Sequence, residues 1–295
     1  MQFKFEVGKP ACPVACRYCH VTELDATRTA AWSQGLLGVN KACTFINVPP
    51  WIAKDIETQQ RFYATPWYLF KGDFAGWTAV TDGMMPSLLR YFWYWAEKVS
   101  PIAKLVTVVT KWSINRDLMR ELAQIPNLFL VVTATGNAPP IERIPVKVHL
   151  RTLALAKEFG VRCLPMCHPY ISGVSDLAFL PEIKKLGYSE VCIKGLRYNP
   201  ETMGDWMPLQ SKIFYEGRGI QEVLPEDGWR DRVFEAGLSL LSPKQWYLRE
   251  GQNLSPAIPI KEATRLTNEV LALAKVASSS GSEDAVRNAC ILRRL

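Results

Sequence analysis

Two periods of apolar residues alternate along the middle of the chain. The stretch 104–111, KLVTVVTK, is dense in β-branched residues and predicts a strand. RDLMRELAQI at 116–125 then carries apolar residues at helical spacing. NLFLVVTATG at 127–136 predicts the next strand, and VHLRTLALAKEFG at 148–160 a helix closed by a C-capping glycine. A strand at 161–167, a helix over 175–187 with another glycine stop, and a strand at 190–194 complete the series. Upstream, strands are expected at 3–7 and 77–82, with a helix over 86–99. Six strands alternating with helices predict a parallel sheet, and right-handed crossovers curl it into a partial (β/α)6 TIM-type barrel of the α/β class.

This barrel is expected to occupy residues 1–199. The segment 20–75 is too long for one connection, so it predicts a helix at about 21–36 and an irregular insert at about 36–75. After about residue 200 the alternation stops. Residues 200–295 are expected to form a partly helical C-terminal extension, with a helix at 260–277 and a flexible linker at 278–284.

Composition narrows the class. With 295 residues, 48% hydrophobic and 21% charged, the chain can bury a sizeable core and is neither disordered nor a disulfide-held mini-protein. No apolar run reaches the roughly 18–20 residues of a membrane span. The N-terminal stretch MQFKFEVGKPACP has no apolar h-region, so a cytoplasmic protein is expected. The balance of 35 Lys+Arg against 28 Asp+Glu is mildly basic. It suits an anionic partner and many ordinary enzymes alike.

Cysteine placement carries the chemistry. Three of eight cysteines, Cys12, Cys16 and Cys19, form C-x3-C-x2-C in the loop after the first expected strand. Three thiolates on one tight loop can hold three corners of a [4Fe–4S] cluster. A structural zinc would want four ligands, and His20 beside Cys19 is poorly placed to be the fourth. Cys163 and Cys167 have even spacing on a strand and therefore share one face. If that face lines the barrel interior, either of them, or Cys192, is a candidate hydrogen donor to a substrate radical; small buried hydrophobes are the plainer reading. Only Cys290 lies beyond residue 200, so one cluster is expected.

The triad, with Tyr18 before its last cysteine, resembles the signature of the radical S-adenosylmethionine (SAM) superfamily. That resemblance implies one [4Fe–4S] cluster whose open iron binds SAM, an external electron donor, and reductive cleavage of SAM to a 5′-deoxyadenosyl radical that abstracts a substrate hydrogen. A second likeness covers about residues 76–200, through TDGMMPSLL, VTKWSINRDLMREL, TATG, HLRTLALAKEFGV and PMCHPYISG. These segments are similar to the spore photoproduct lyase branch. The resemblance implies that Lys111 contacts the SAM carboxylate or ribose, that Thr133 and Thr135 hydrogen-bond SAM, and that Thr81 and Asp82 meet its amino group. Tyr18 joins this cofactor set; Lys194 and Arg197 are placed to reach SAM or substrate. Each has a plainer reading as a strand-end, turn or solvated residue. All fall at C-terminal strand ends, where barrels build their sites. His168 at the same rim is a candidate substrate contact, whereas His149 on a helix reads as structural or solvated.

The aromatic-rich insert, with Trp51, Trp67 and Tyr68, could line a groove for a peptide or for DNA bases. The single-cluster build is similar to peptide spliceases, which excise tyramine from a protein backbone. This implies a ribosomally synthesised precursor peptide as substrate and a separate leader-binding partner. Repair of a thymine photoproduct in DNA, and a small-molecule substrate, are the alternatives.

Overall fold

The computed structural model describes residues 2–6, 14, 16–19, 37–39, 43–47, 74–77, 82–86, 89, 92–93, 96–97, 100, 103–218 and 222–254. Cys12, His20, Thr81, Cys290 and the expected helices at 21–36 and 260–277 lie outside these residues.

The central strands are β5 (Leu105–Thr110), β6 (Leu128–Thr133), β7 (Arg162–Cys167) and β8 (Glu190–Ile193). Of these, β5 and β6 form where β-branched residues cluster, whereas β7, RCLPMC, has none and is held by pairing with its neighbours. β1 (Gln2–Glu6) and β4 (Phe74–Trp77) complete the expected six, all parallel in the order β8-β7-β6-β5-β4-β1. This is the α/β partial barrel expected from the alternation.

Three differences stand out. β4 begins at Phe74, upstream of the strand expected at 77–82, because FAGW pairs with β1; residues 78–81 lie outside the described residues. The insert supplies β2 (Leu37–Val39) and β3 (Cys43–Asn47), which add to the sheet beside β1, β3 parallel to it and β2 antiparallel to β3. Beyond residue 200 the alternation resumes as well. β9 (Leu196–Arg197) pairs antiparallel with β10 (Glu222–Val223), a long-range hairpin with residues 198–221 between its strands, and β11 (Ser239–Leu240) pairs in parallel with β8. Strands of two or three residues are too short to leave a period in the sequence.

Helices α1 (Arg116–Leu122), α2 (Val146–Glu158) and α3 (Leu180–Lys185) follow β5, β6 and β7. The extension holds α4 (Pro200–Met203), α5 (Leu209–Tyr215), α6 (Trp229–Glu235) and α7 (Pro243–Glu250). α1 starts where the Asn115 side chain accepts from the Leu118 amide at 2.9 Å. α7 starts with a capping box between Ser242 and Gln245. Among the described residues no helix is long and apolar enough to cross a membrane.

The two faces of the sheet are covered differently. Val106, Val108, Leu130 and Val132 pack against Met119, Leu153, Ile183 and Val233 from α1, α2, α3 and α6. Trp77 and Phe92, from the helical stretch around 86–97, join this core edge to face. The alternate residues Leu105, Phe129, Val131, Leu164, Met166 and Cys192 face the other way, onto Trp246 and Tyr247 of α7. The Trp246 ring meets Phe129 edge-on at 5.0 Å. α7 therefore covers the inner face of β5 to β8 from Leu105 to Met166 and Cys192. Farther along β5, Val109 is 44% exposed, although its strand is paired on both sides.

Candidate active site

The C-terminal ends of the central strands carry polar residues: Lys111 follows β5, Thr133 closes β6, His168 follows β7 and Lys194 follows β8. Just past β5, the chain is fastened by Asp82. Its Oδ1 accepts from the Met84 amide at 3.0 Å and the Thr110 hydroxyl at 2.6 Å. Its Oδ2 accepts from the amides of Lys111 at 2.6 Å and Trp112 at 3.0 Å. Burial pushes the Asp82 carboxyl above the usual range, against the pull of these hydrogen bonds. The carboxylate named from the resemblance as a cofactor contact is thus engaged by its own chain, and it sets the direction in which Lys111 leaves the strand.

The Lys111 ammonium donates to the His168 carbonyl at 2.9 Å and lies 5.1 Å over the Tyr18 ring. It also stands 3.6 Å from Oε2 of Glu142, a carboxylate only 1% exposed. The same oxygen accepts from the Tyr18 hydroxyl and, at 2.5 Å, from the Thr135 hydroxyl just beyond β6. Behind this cluster, Nε2 of His149 donates to the Lys111 carbonyl at 3.0 Å and is 3.9 Å from Glu142 Oε1. Burial lowers the His149 pKa to about 4, so the ring is neutral at pH 7. His149 is structural, one of the two roles expected for it.

The cysteine loop rests on this cluster. The Arg17 amide donates to the Ile141 carbonyl at 3.0 Å, and the Cys19 amide to the Cys16 carbonyl at 3.1 Å. Both thiols are partly exposed. Burial raises the Cys16 thiol to about 12, while Lys111 opposes the shift and Glu142 adds to it. A metal taking this sulfur displaces its proton, and the neighbouring ammonium favours the resulting thiolate. Two thiols on one turn, beside a cation and next to strand ends, fit the sulfur donor set of an iron–sulfur cluster. Cys12, the expected third ligand, lies outside the described residues; among those described, no three His, Cys, Asp or Glu side chains converge on a metal position.

Thr133 closes β6, buried on the inner face with Phe129 and Val131. Lys194, just past β8, pairs with Glu222 of β10 at 3.0 Å, and His168 Nε2 is 3.8 Å from the same carboxylate. Arg197 is exposed on β9, opposite Glu222 in the hairpin. Gly195 lets β10 come this close, since a Cβ there would meet the Val223 carbonyl oxygen at 2.1 Å. The extension also grips the cysteine loop. Arg17 bonds Asp205 at 2.7 Å, and Tyr18 packs with Leu196, Tyr198, Met203 and Tyr215.

Cys163 and Cys167 do share a face, but it is the helix-packed face rather than the barrel interior, so the interior reading of that pair is corrected. The residues that point inward on β7 are Leu164 and Met166. Cys163 contacts the Tyr188 hydroxyl, and burial raises its thiol to about 12. The Cys167 thiol donates to the Thr135 carbonyl at 3.6 Å. Cys192 alone of the three belongs to the inner-face cluster, and burial raises its thiol to about 12.

Sequence reasoning passed over Glu142 and Glu222. The first is the lone carboxylate of the loop GNAPPIER that follows the TATG strand end, which is the one signal that pointed to it. Glu222 lies after the alternation was expected to stop, and nothing local marks it.

No protein-family model matches the chain, and no curated protein does. Solved structures of native anSMEcpe with bound AdoMet resemble it with a TM-score of 0.41 at 11% identity, over 81% of this chain and 64% of that one. The same protein with AdoMet and the Cp18Cys peptide gives 0.43 at 11% identity, over 81% and 62%. The chain spans less than two thirds of the length of these structures.

Proposed function

We propose that the chain is a radical SAM enzyme, with Cys12, Cys16 and Cys19 as ligands of one [4Fe–4S] cluster. The observation that carries this reading is the joint between Cys16–Cys19 and the strand ends. Tyr18, Thr135 and Lys111 converge on the buried Glu142, so the turn bearing the cysteines sits against the C-terminal ends of β5 and β6. The bound cluster and SAM supply reductive cleavage to a 5′-deoxyadenosyl radical and hence hydrogen abstraction. The chain's own residues do the positioning. Lys111 places a cation beside the thiols for the SAM carboxylate, and Thr133, Thr135 and Asp82 frame the strand ends around it; Thr81 is assigned to SAM on the resemblance alone. Lys194 and Arg197 hold the opposite side of the mouth. α7 closes the foot of the inner face to water, which keeps a reactive species from being quenched from below.

The substrate we infer is a ribosomally synthesised precursor peptide, brought by a separate leader-binding protein and modified at its backbone, with tyramine excision as the specific outcome. This rests on the sequence resemblance; the exposed apolar side chain of Val109 on β5 is compatible with it. The test is anaerobic incubation of the reconstituted chain with SAM, dithionite and either tyrosine-containing precursor peptides plus the leader-binding partner, or ultraviolet-treated DNA. Loss of the tyramine mass from a peptide supports the reading. Repair of the DNA lesion with peptides untouched would replace it.

A further inference from the structure

Glu142 is buried behind the rim, out of reach of any substrate, yet it bridges parts of the chain far apart in sequence. Its Oε2 takes a hydroxyl from the cysteine loop through Tyr18 and one from the end of β6 through Thr135. The third neighbour is the Lys111 ammonium at 3.6 Å, which is itself steered by the His168 carbonyl. The Arg17 amide bonds the carbonyl of Ile141, immediately before Glu142. A carboxylate taken out of water in this way is costly unless paired and hydrogen-bonded, so the arrangement has a strongly preferred geometry. Moving the cysteine turn away takes the Tyr18 donor from Glu142, whose other oxygen, Oε1, has no hydrogen-bond partner.

We propose that Glu142 is a positioning residue that locks the Cys16–Cys19 turn to the strand ends and sets the Lys111 ammonium beside it, so that the thiols are preorganised before any metal arrives. This rests on the radical SAM reading for its purpose, but the lock itself is a property of the metal-free chain. The lock stiffens the segment 14–19 through one side chain from outside it, a device that lets a short loop hold ligands in place.

Hydrogen–deuterium exchange on the metal-free full chain tests it. Glu142→Ala and Tyr18→Phe each remove the one hydrogen bond between the cysteine turn's Tyr18 and the carboxylate, and are each expected to speed exchange at the Arg17 and Cys19 amides by about tenfold. The double variant is expected to exchange no faster than the faster single one, because both cut the same tie. Glu142→Gln keeps an oxygen for both hydroxyls and is expected to stay within about threefold of the wild type. Amides of β6 and α2 should not change in any variant. Unchanged exchange at 17 and 19 in Tyr18→Phe overturns the proposal. So does faster exchange across the whole chain, since the residue then supports the fold and not the loop. In reconstituted protein the same two variants are expected to surrender iron to a chelator about tenfold faster. If the wild type assembles no cluster, the radical SAM reading fails, while the exchange result still decides the lock.

Discussion

Strands β5 to β8 carry two chemistries on one face. At the foot, Leu105, Phe129 and Leu164 meet Trp246 and Tyr247 of α7, and the contact is apolar and closed. At the rim, just beyond the same strands, Lys111, Thr135, His168 and Lys194 gather around the carboxylates of Glu142 and Glu222. The backbone is the same; what covers it differs. Burial against a helix rewards large apolar side chains, each contributing about 1.5–3 kcal/mol. Burial without a helix demands that every charge find a partner. The comparison separates the parts of the molecule that hold the fold from those that act, and each can be attacked without the other.

The largest expected effect is at the foot. Phe129→Ala removes the ring that both Trp246 and Tyr247 contact edge-on, at 5.0 and 6.0 Å. Chemical denaturation should show a loss of about 3–5 kcal/mol, and Trp246→Ala combined with it should cost less than the sum of the two. Full additivity would mean that α7 is not the plug described.

A smaller effect comes from the joint between the two regions. His149 is held neutral, with its pKa lowered to about 4 by burial, and faces the Lys111 carbonyl, the Lys111 ammonium and Glu142. The unfolded chain takes up a proton near pH 6.5 that the folded chain refuses until about pH 4. Its contribution is therefore fully present above about pH 6.5 and is lost as pH falls towards 4, by up to about 3 kcal/mol. His149→Gln should flatten the stability profile in that window relative to wild type. Identical profiles would show that the ring does not titrate as described.

The rim sharpens the comparison with the smallest change. Lys194→Met is expected to weaken SAM binding about tenfold in the reconstituted protein, measured by equilibrium dialysis, with the melting temperature unmoved. A fall in melting temperature with unchanged binding would make Lys194 a support for the β9–β10 hairpin instead.

What could be read beforehand follows the same division. The strands expected at 104–110, 128–134, 161–167 and 190–194 match β5 to β8 to within a residue or so at each end, because runs such as LVTVVT and LFLVVT are local signals. The places of Lys111 and of Thr133 and Thr135 beside strand ends could be located for a similar reason, whereas the roles given to them came from the family resemblance. β2 and β11, short strands at the sheet edges, were not legible, since each exists through its partner, and β3, which lies between β1 and β2 in the sheet, belongs to the insert and has no local period. Glu142 and Glu222 matter because Tyr18 and Lys194 come to them from 124 residues upstream and across a hairpin, and no local pattern encodes such a meeting. The parity of Cys163 and Cys167 was readable, but which face was inside depended on where α7 landed.

The central claim is that the Cys16–Cys19 turn holds a cluster that cleaves SAM. The most direct measurement is 5′-deoxyadenosine formed by the anaerobically reconstituted, dithionite-reduced chain with SAM, quantified by mass spectrometry beside Cys16→Ala. The account expects about four irons per chain and steady formation of 5′-deoxyadenosine by the wild type, with both lost in Cys16→Ala. A wild type that holds a complete cluster and never cleaves SAM, or a Cys16→Ala variant that still does, would contradict it.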